Sequence, residues 1–128
     1  MNNPITMLVC GLSTWKDRPM PIDLPEAIAD YFAADAAKNA ERVAECFAPD
    51  AVVKDEGKAH SGREAIRAWK TESSAKYDYT ATPLRIVTEG DRMVVTSHLE
   101  GNFPGSPVDL RYGFALQGGK ISGLEIAL

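Results

Sequence analysis

Few side chains in this sequence can move a proton, hold a metal or act as a nucleophile, and their spacing narrows the choice further. The two histidines, His60 and His98, lie far apart, as do the two cysteines, Cys10 and Cys46. Neither a CxxC pair nor a zinc-ligand spacing results, so no metal is expected. Cys46 falls in the apolar run Val43-Ala44-Glu45-Cys46-Phe47 and reads as a buried thiol rather than a reactive one. His98 is a tempting general base, because imidazole titrates near neutrality. Asp109 and Arg111, two residues apart, form a charged pair. Lys54-Asp55-Glu56 closes a β-branched run. Its aspartate is either a proton acceptor or part of a solvated strand end.

Composition sets the frame for these residues. The chain has 128 residues, a mass of 13.9 kDa and a net charge of -4, from 14 basic and 18 acidic side chains. That length suits one domain with a core and a small pocket. The acidic balance argues against nucleic acid or an anionic membrane as partner. The apolar stretch Ile5 to Leu12 falls short of the roughly 20 residues of a membrane span. No basic leader or small-residue cleavage site precedes Trp15-Lys16-Asp17-Arg18, and a cytoplasmic location is expected. Residues 1–21 read as an irregular arm, broken by Pro4, Pro19 and Pro21. Such an arm either drapes the surface, precedes a true start at Met20, or uses Met7, Leu8, Val9 and Trp15 to close a pocket or reach a second subunit. Residues 22–128 read as a single domain.

The elements that must position any site follow from periodicity. Pro25 and Glu26 open a helix over about 25–37, with Ile28, Tyr31, Phe32 and Ala36 as its apolar stripe. Asn39 caps a short second helix with Ala40, Val43, Ala44 and Phe47 on its face, stopped by Pro49-Asp50. Ala51 to Asp55 is a short strand, and Glu56-Gly57-Lys58 turns out of it. Ser61-Gly62-Arg63-Glu64 fits a capping box, serine at the cap, before a helix that carries Ala65, Ile66 and Trp69 to about Lys76. After Tyr77 the period changes to two. Tyr77–Thr88, Met93–Asn102, Val108–Gln117 and Lys120–Leu128 read as strands joined by turn residues, hence as consecutive hairpins. Three N-terminal helices on a mainly antiparallel sheet make an α+β layout.

Alternation then assigns faces. Met93, Val95, Ser97 and Leu99 share one face; so do Leu110, Tyr112, Phe114 and Leu116, and so do Leu124, Ile126 and Leu128. These sets should face the helices together. His98, Asp109, Arg111 and Glu125 fall on the outer face. There Asp109 and Arg111 read as a solvated pair, contributing about 0–1 kcal/mol.

The order of elements resembles the nuclear transport factor 2-like superfamily, the cone-shaped fold of ketosteroid isomerase and SnoaL-like polyketide cyclases, over about residues 22–128. Its carriers are Tyr31-Phe32-Ala33-Ala34, Phe47 to Asp55, Ser61 to Ile66 and Gly118-Gly119-Lys120-Ile121. The resemblance implies a strongly curved sheet and a homodimer through its outer face. It places Asp55 at the position of the isomerase's general base, Tyr31 at its oxyanion tyrosine and Trp69 at an aromatic pocket position. Ketosteroid isomerase, a standard example of carboxylate tuning, completes its oxyanion hole with a protonated aspartic acid. Here that position holds Tyr112, a phenol that can also donate. An epoxide hydrolase of this fold would need an arginine–aspartate relay, and Arg111 and Asp109 lie on the wrong face for one.

The chemistry implied needs no cofactor. An aspartate at the mouth of an apolar cone, among Leu99, Leu110, Ile126 and Leu128, should lose solvation, which raises a carboxyl pKa from about 3.9. It could then take a proton next to a carbonyl, with Tyr31 and Tyr112 as oxyanion donors. Trp69, Val95, Ser97, Leu99, Leu110, Phe114, Leu124, Ile126 and Leu128 are the expected pocket wall, for a small apolar molecule. Three functions stay open: a proton-transfer enzyme (isomerase, cyclase or dehydratase), a non-catalytic binder of an apolar metabolite, and an interaction module that uses the outer sheet face.

Overall fold

The computed structural model describes residues 23–128, and the arm at 1–21 lies outside them. Ile28, Tyr31, Phe32 and Asp35 recur at helical spacing and form the buried stripe of α1 (Glu26–Ala36). Pro25 stands at its N-cap. The stripe's fourth member corrects the sequence expectation: Asp35 is buried and Ala36 is exposed. In α2 (Ala40–Glu45) the Asn39 side chain accepts from the Arg42 amide at 3.1 Å, the expected cap.

The second helix ends earlier than expected. Phe47 is already in β1 (Phe47–Asp55), and the Pro49-Asp50 pair sits inside that strand instead of stopping a helix. Strand β1 is irregular there: its pairing shifts register between Phe47 and Val52, which accommodates a residue without an amide hydrogen. A second strand, β2 (Lys58–Ser61), pairs with β1 across a two-residue turn, Asp55 opposite Lys58. Glu56 and Gly57 have φ values of 54° and 75°, the doubly left-handed turn whose twist suits a hairpin. Because Ser61 stays paired with Val52, its hydroxyl cannot cap the next helix. Gly62 is the N-cap of α3 (Arg63–Lys76), without the expected capping box.

Four further strands complete the sheet: β3 (Tyr79–Glu89), β4 (Arg92–Gly101), β5 (Val108–Gln117) and β6 (Lys120–Ala127). They run as the expected hairpins. The strand order is β2-β1-β6-β5-β4-β3, antiparallel except where β1 lies parallel to β6. Two further register shifts, near Pro83 and near Ala115, bend this six-stranded mixed sheet. Three helices pack against it, the α+β architecture expected.

Register carries the inner face across the sheet in rows. Val95 pairs with Tyr112 and Tyr112 with Ile126; Met93 pairs with Phe114 and Phe114 with Leu124. Against these rows α1 lays Tyr31 and Phe32. Tyr31 meets Phe114 at 5.6 Å and Phe47 at 6.0 Å between ring centroids, while Phe32 meets Tyr112 at 5.1 Å. Most of these contacts are edge-to-face, the favoured geometry for ring quadrupoles. The aromatic cluster thus joins helix, first strand and fifth strand in one core. Phe114→Ala should lower unfolding stability by about 3–5 kcal/mol in denaturant titration. A loss below about 1 kcal/mol would show that the cluster is not the centre of the core.

Candidate functional site

Strand parity aims Asp55 inward with Ala51 and Val53, while Lys54 between them is exposed. Asp55 ends its strand at the hairpin and is half-buried. From α3, the indole N–H of Trp69 donates to Asp55 Oδ2 at 3.0 Å. A donor-only group on one carboxylate oxygen fixes the plane of the carboxylate and leaves the lone pairs of Oδ1 outside that bond. His60 on β2 lies beside the same indole, with ring centroids 5.9 Å apart.

Tyr31 and Tyr112 are both buried, their ring centroids 6.3 Å apart. Burial, then the carboxylates of Asp35 and Asp55, pushes the Tyr112 hydroxyl far above the usual phenol value of 10. Burial and then Asp35 do the same to Tyr31, with a smaller contribution from Asp55. Both phenols therefore stay neutral and can donate a hydrogen bond at any physiological pH. The structure brings Asp55, Trp69, Tyr31 and Tyr112 to the same helix-covered interior.

The expected wall divides by burial. Val95, Ser97, Leu99, Phe114 and Leu124 are buried in it, and Leu110 and Ile126 are half-buried where they pack against the core. Leu128 departs from expectation. It lies beyond β6 and is 86% exposed.

Sequence reading missed a second polar cluster. Lys70 on α3 donates to Asp35 Oδ1 on α1 at 2.8 Å, and both side chains are only 4% exposed. The Tyr79 hydroxyl donates to the same Asp35 oxygen at 2.7 Å and lies 3.3 Å from the Lys70 ammonium. Lys70 Nζ also sits 4.4 Å from the Trp69 ring centroid and 5.6 Å from that of Tyr31. Gly101 makes this possible at the strand end: a Cβ there would come within 2.6 Å of Tyr79 Cβ and 2.2 Å of the Asp78 carbonyl oxygen. The signal was present in helical phase. Asp35 is seven residues from Ile28, and Lys70 is four from Ile66.

On the outer face the pairs differ from the sequence expectation. His98 Nδ1 contacts Asp109 Oδ1 at 2.7 Å, and Arg111 reaches Glu89 at 2.6 Å instead of Asp109. Asp109 and His98 are register partners across β4 and β5, which decides the choice. Cys46 is half-buried, donates to the Arg42 carbonyl oxygen at 3.3 Å, and has its thiol pushed up to about 11 by burial. Among the described residues, no three histidine, cysteine or acidic side chains come together as metal ligands.

Two outcomes test this geometry. Lys70→Met strands a buried carboxylate and should cost about 3–5 kcal/mol in denaturant unfolding; adding Asp35→Leu should recover most of that loss. The Asp109 contact raises the His98 pKa above its ordinary 6.5. Its contribution to stability is therefore fully present below pH 6.5 and disappears as pH rises through the raised value. By NMR, His98 should titrate above 6.5 and return towards it in Asp109→Asn.

Comparison with known proteins follows the same lines. A crystal structure of a candidate polyketide cyclase from Sinorhizobium meliloti superposes with a TM-score of 0.78 at 42% identity, covering 84% of this chain and 98% of that one. A protein from Catenulispora acidiphila with a ketosteroid isomerase-like fold, solved with trimethylamine, gives 0.74 at 22% identity over 83% and 87%. The epoxide hydrolase/cyclase-like enzyme SalBIII, studied for pyran ring formation, gives 0.68 at 22% over 80% and 87%. No curated protein sequence matches the chain. The family model of the SnoaL-like domain matches residues 28–123, and with the helix order and sheet described above the chain belongs to that family.

Proposed function

We propose that this protein binds a small, largely apolar carbonyl compound on the inner face of the sheet and catalyses proton transfer within it. Asp55 acts as general base, and Tyr31 and Tyr112 donate hydrogen bonds to the developing oxyanion. The observation that carries the reading is the Trp69–Asp55 hydrogen bond at 3.0 Å, which holds a half-buried carboxylate in one orientation on the sheet face that carries Tyr112 and that α1 covers with Tyr31. Similarity to the candidate polyketide cyclase supports the reaction class.

The step balances without a cofactor. Asp55 Oδ1 takes a proton from the carbon next to the carbonyl. The C–H pair becomes the C=C bond of an enolate, and the carbonyl π pair moves to oxygen. A neutral phenol can donate to that oxygen, which is where preorganised donors act most strongly. In a ketone whose enolate is conjugated with a further C=C bond, return of the proton to the far carbon of that system gives an isomer. Attack of the enolate carbon on a second carbonyl closes a ring, with protonated Asp55 returning its proton to the new alkoxide; expulsion of a β-hydroxyl, which takes that proton and leaves as water, gives a dehydrated product.

Asp55→Asn keeps the shape and the acceptor for Trp69 but is not a base. It should lower turnover of a responsive cyclic ketone by about 10²–10⁴-fold and leave its dissociation constant within a few-fold. Turnover unchanged in Asp55→Asn would sink Asp55 as the base. Tight ketone binding by the native protein, with no turnover across a ketone library, would make it a non-catalytic binder.

A further inference from the structure

Among the described residues, the hydroxyl of Ser97 is the one buried side-chain polar atom without a hydrogen-bond partner. The contrast with its surroundings is chemical. Asp35, Lys70 and Tyr79 satisfy one another, and the carboxylate of Asp55 has the Trp69 indole. Ser97 is fully buried, and its register neighbours, Pro83 on β3 and Leu110 on β5, offer no side-chain polar atom. The other inward positions of β4, namely Met93, Val95 and Leu99, are apolar. An apolar residue here would avoid desolvating a hydroxyl that none of the described residues serves.

Position gives that hydroxyl a direction. Strand parity puts Ser97 on the helix-covered face, two residues along β4 from Val95, the partner of Tyr112. Ser97 and Tyr112 are therefore diagonal neighbours, their backbones about 7–8 Å apart. Leu110, opposite Ser97, and Ile126 stay half-buried, so this side of the Tyr112 row is the less tightly covered part of the inner face.

We infer that Ser97 is a specificity residue that binds a second oxygen of the ligand, so that the ligand class is a compact apolar ketone carrying a hydroxyl or further carbonyl several ångströms from the reacting carbonyl. This rests on the carbonyl-ligand reading above and narrows it. A serine hydroxyl both donates and accepts, so either oxygen function satisfies it. An unfunctionalised ketone leaves it unpaired, which is how a site built for a hydroxyl discriminates against its absence.

The test compares 1-tetralone with 6-hydroxy-1-tetralone by calorimetry, on the native protein, Ser97→Ala and Ser97→Cys. The native protein should bind the hydroxyketone about tenfold more tightly than the ketone, and both variants should erase that difference. Thermal unfolding adds a readout that a structural role would move the other way. Ser97→Ala should melt no lower than the native protein, since it removes an unserved polar atom. Equal binding of the two ketones by the native protein, or an advantage that survives both substitutions, overturns the role of Ser97 and leaves the carbonyl reading standing. A lower melting temperature in Ser97→Ala with an unchanged ligand preference also overturns it, assigning the hydroxyl a structural partner. Failure of the native protein to bind either ketone overturns the carbonyl reading, and this inference with it.

Discussion

Asp35 and Lys70 place two full charges inside the interface between helices and sheet, and the arrangement of everything near the site has to accommodate them. Removing a carboxylate and an ammonium from water costs several kcal/mol for each ion. Their contact at 2.8 Å, with the Tyr79 hydroxyl on the same carboxylate oxygen, offsets that cost only while α1, α3 and β3 keep their present positions. An apolar trio of similar volume would tolerate sliding. This trio does not, because separating any member leaves a charge or a phenol unserved in a dry environment. The pair thus contributes definition of geometry more than stability.

The same charges set the chemistry of their neighbours. Asp35 keeps the phenols of Tyr31, Tyr79 and Tyr112 protonated, adding to what burial does first. The proposed oxyanion donors must not themselves ionise, and the carboxylate that adds to the effect of burial belongs to α1 and is held by Lys70. These phenols belong to aromatic rings packed in the hydrophobic core, with Tyr112 stacked on Phe114 at 6.2 Å. Their hydroxyl positions are fixed by packing, so little reorganisation is needed when charge develops. Fold alone would not grant this, since the same scaffold serves proteins of many activities.

Most of the architecture was legible because period-two alternation of apolar residues runs through the last three strands. Val95, Tyr112 and Ile126 declared their shared face, and register set them in one row. Tyr31 and Tyr112 are buried, as helical stripe and strand parity implied. What stayed hidden was what charge disguises. Asp35 and Lys70 occupy inward helical phases, but a pattern that looks for apolar residues passes over them, and it named Ala36 instead. Proline misled in the other direction: Pro49 suggests a helix stop, yet it sits in a strand whose register shifts around it. Ser61 was claimed for a cap by its type, whereas pairing with Val52 had already committed it to the sheet. In each case the local signal was real and a long-range contact took precedence.

One stretch of α3 ties these constraints together. Trp69 and Lys70 are adjacent in sequence, so successive side chains diverge by about 100° around the helix axis. One reaches β1 and holds Asp55; the other reaches α1 and β3 through Asp35 and Tyr79. The ammonium is also within 4.4 Å of the indole ring centroid, a cation–π distance, so the two anchors touch each other. A shift of α3 along its axis would draw the indole off the carboxylate and the ammonium off Asp35 together. The orientation of the candidate base is therefore coupled to the electrostatic environment of its candidate donors. The link is a single helical turn, on the opposite side of the core from the strand that carries Tyr112.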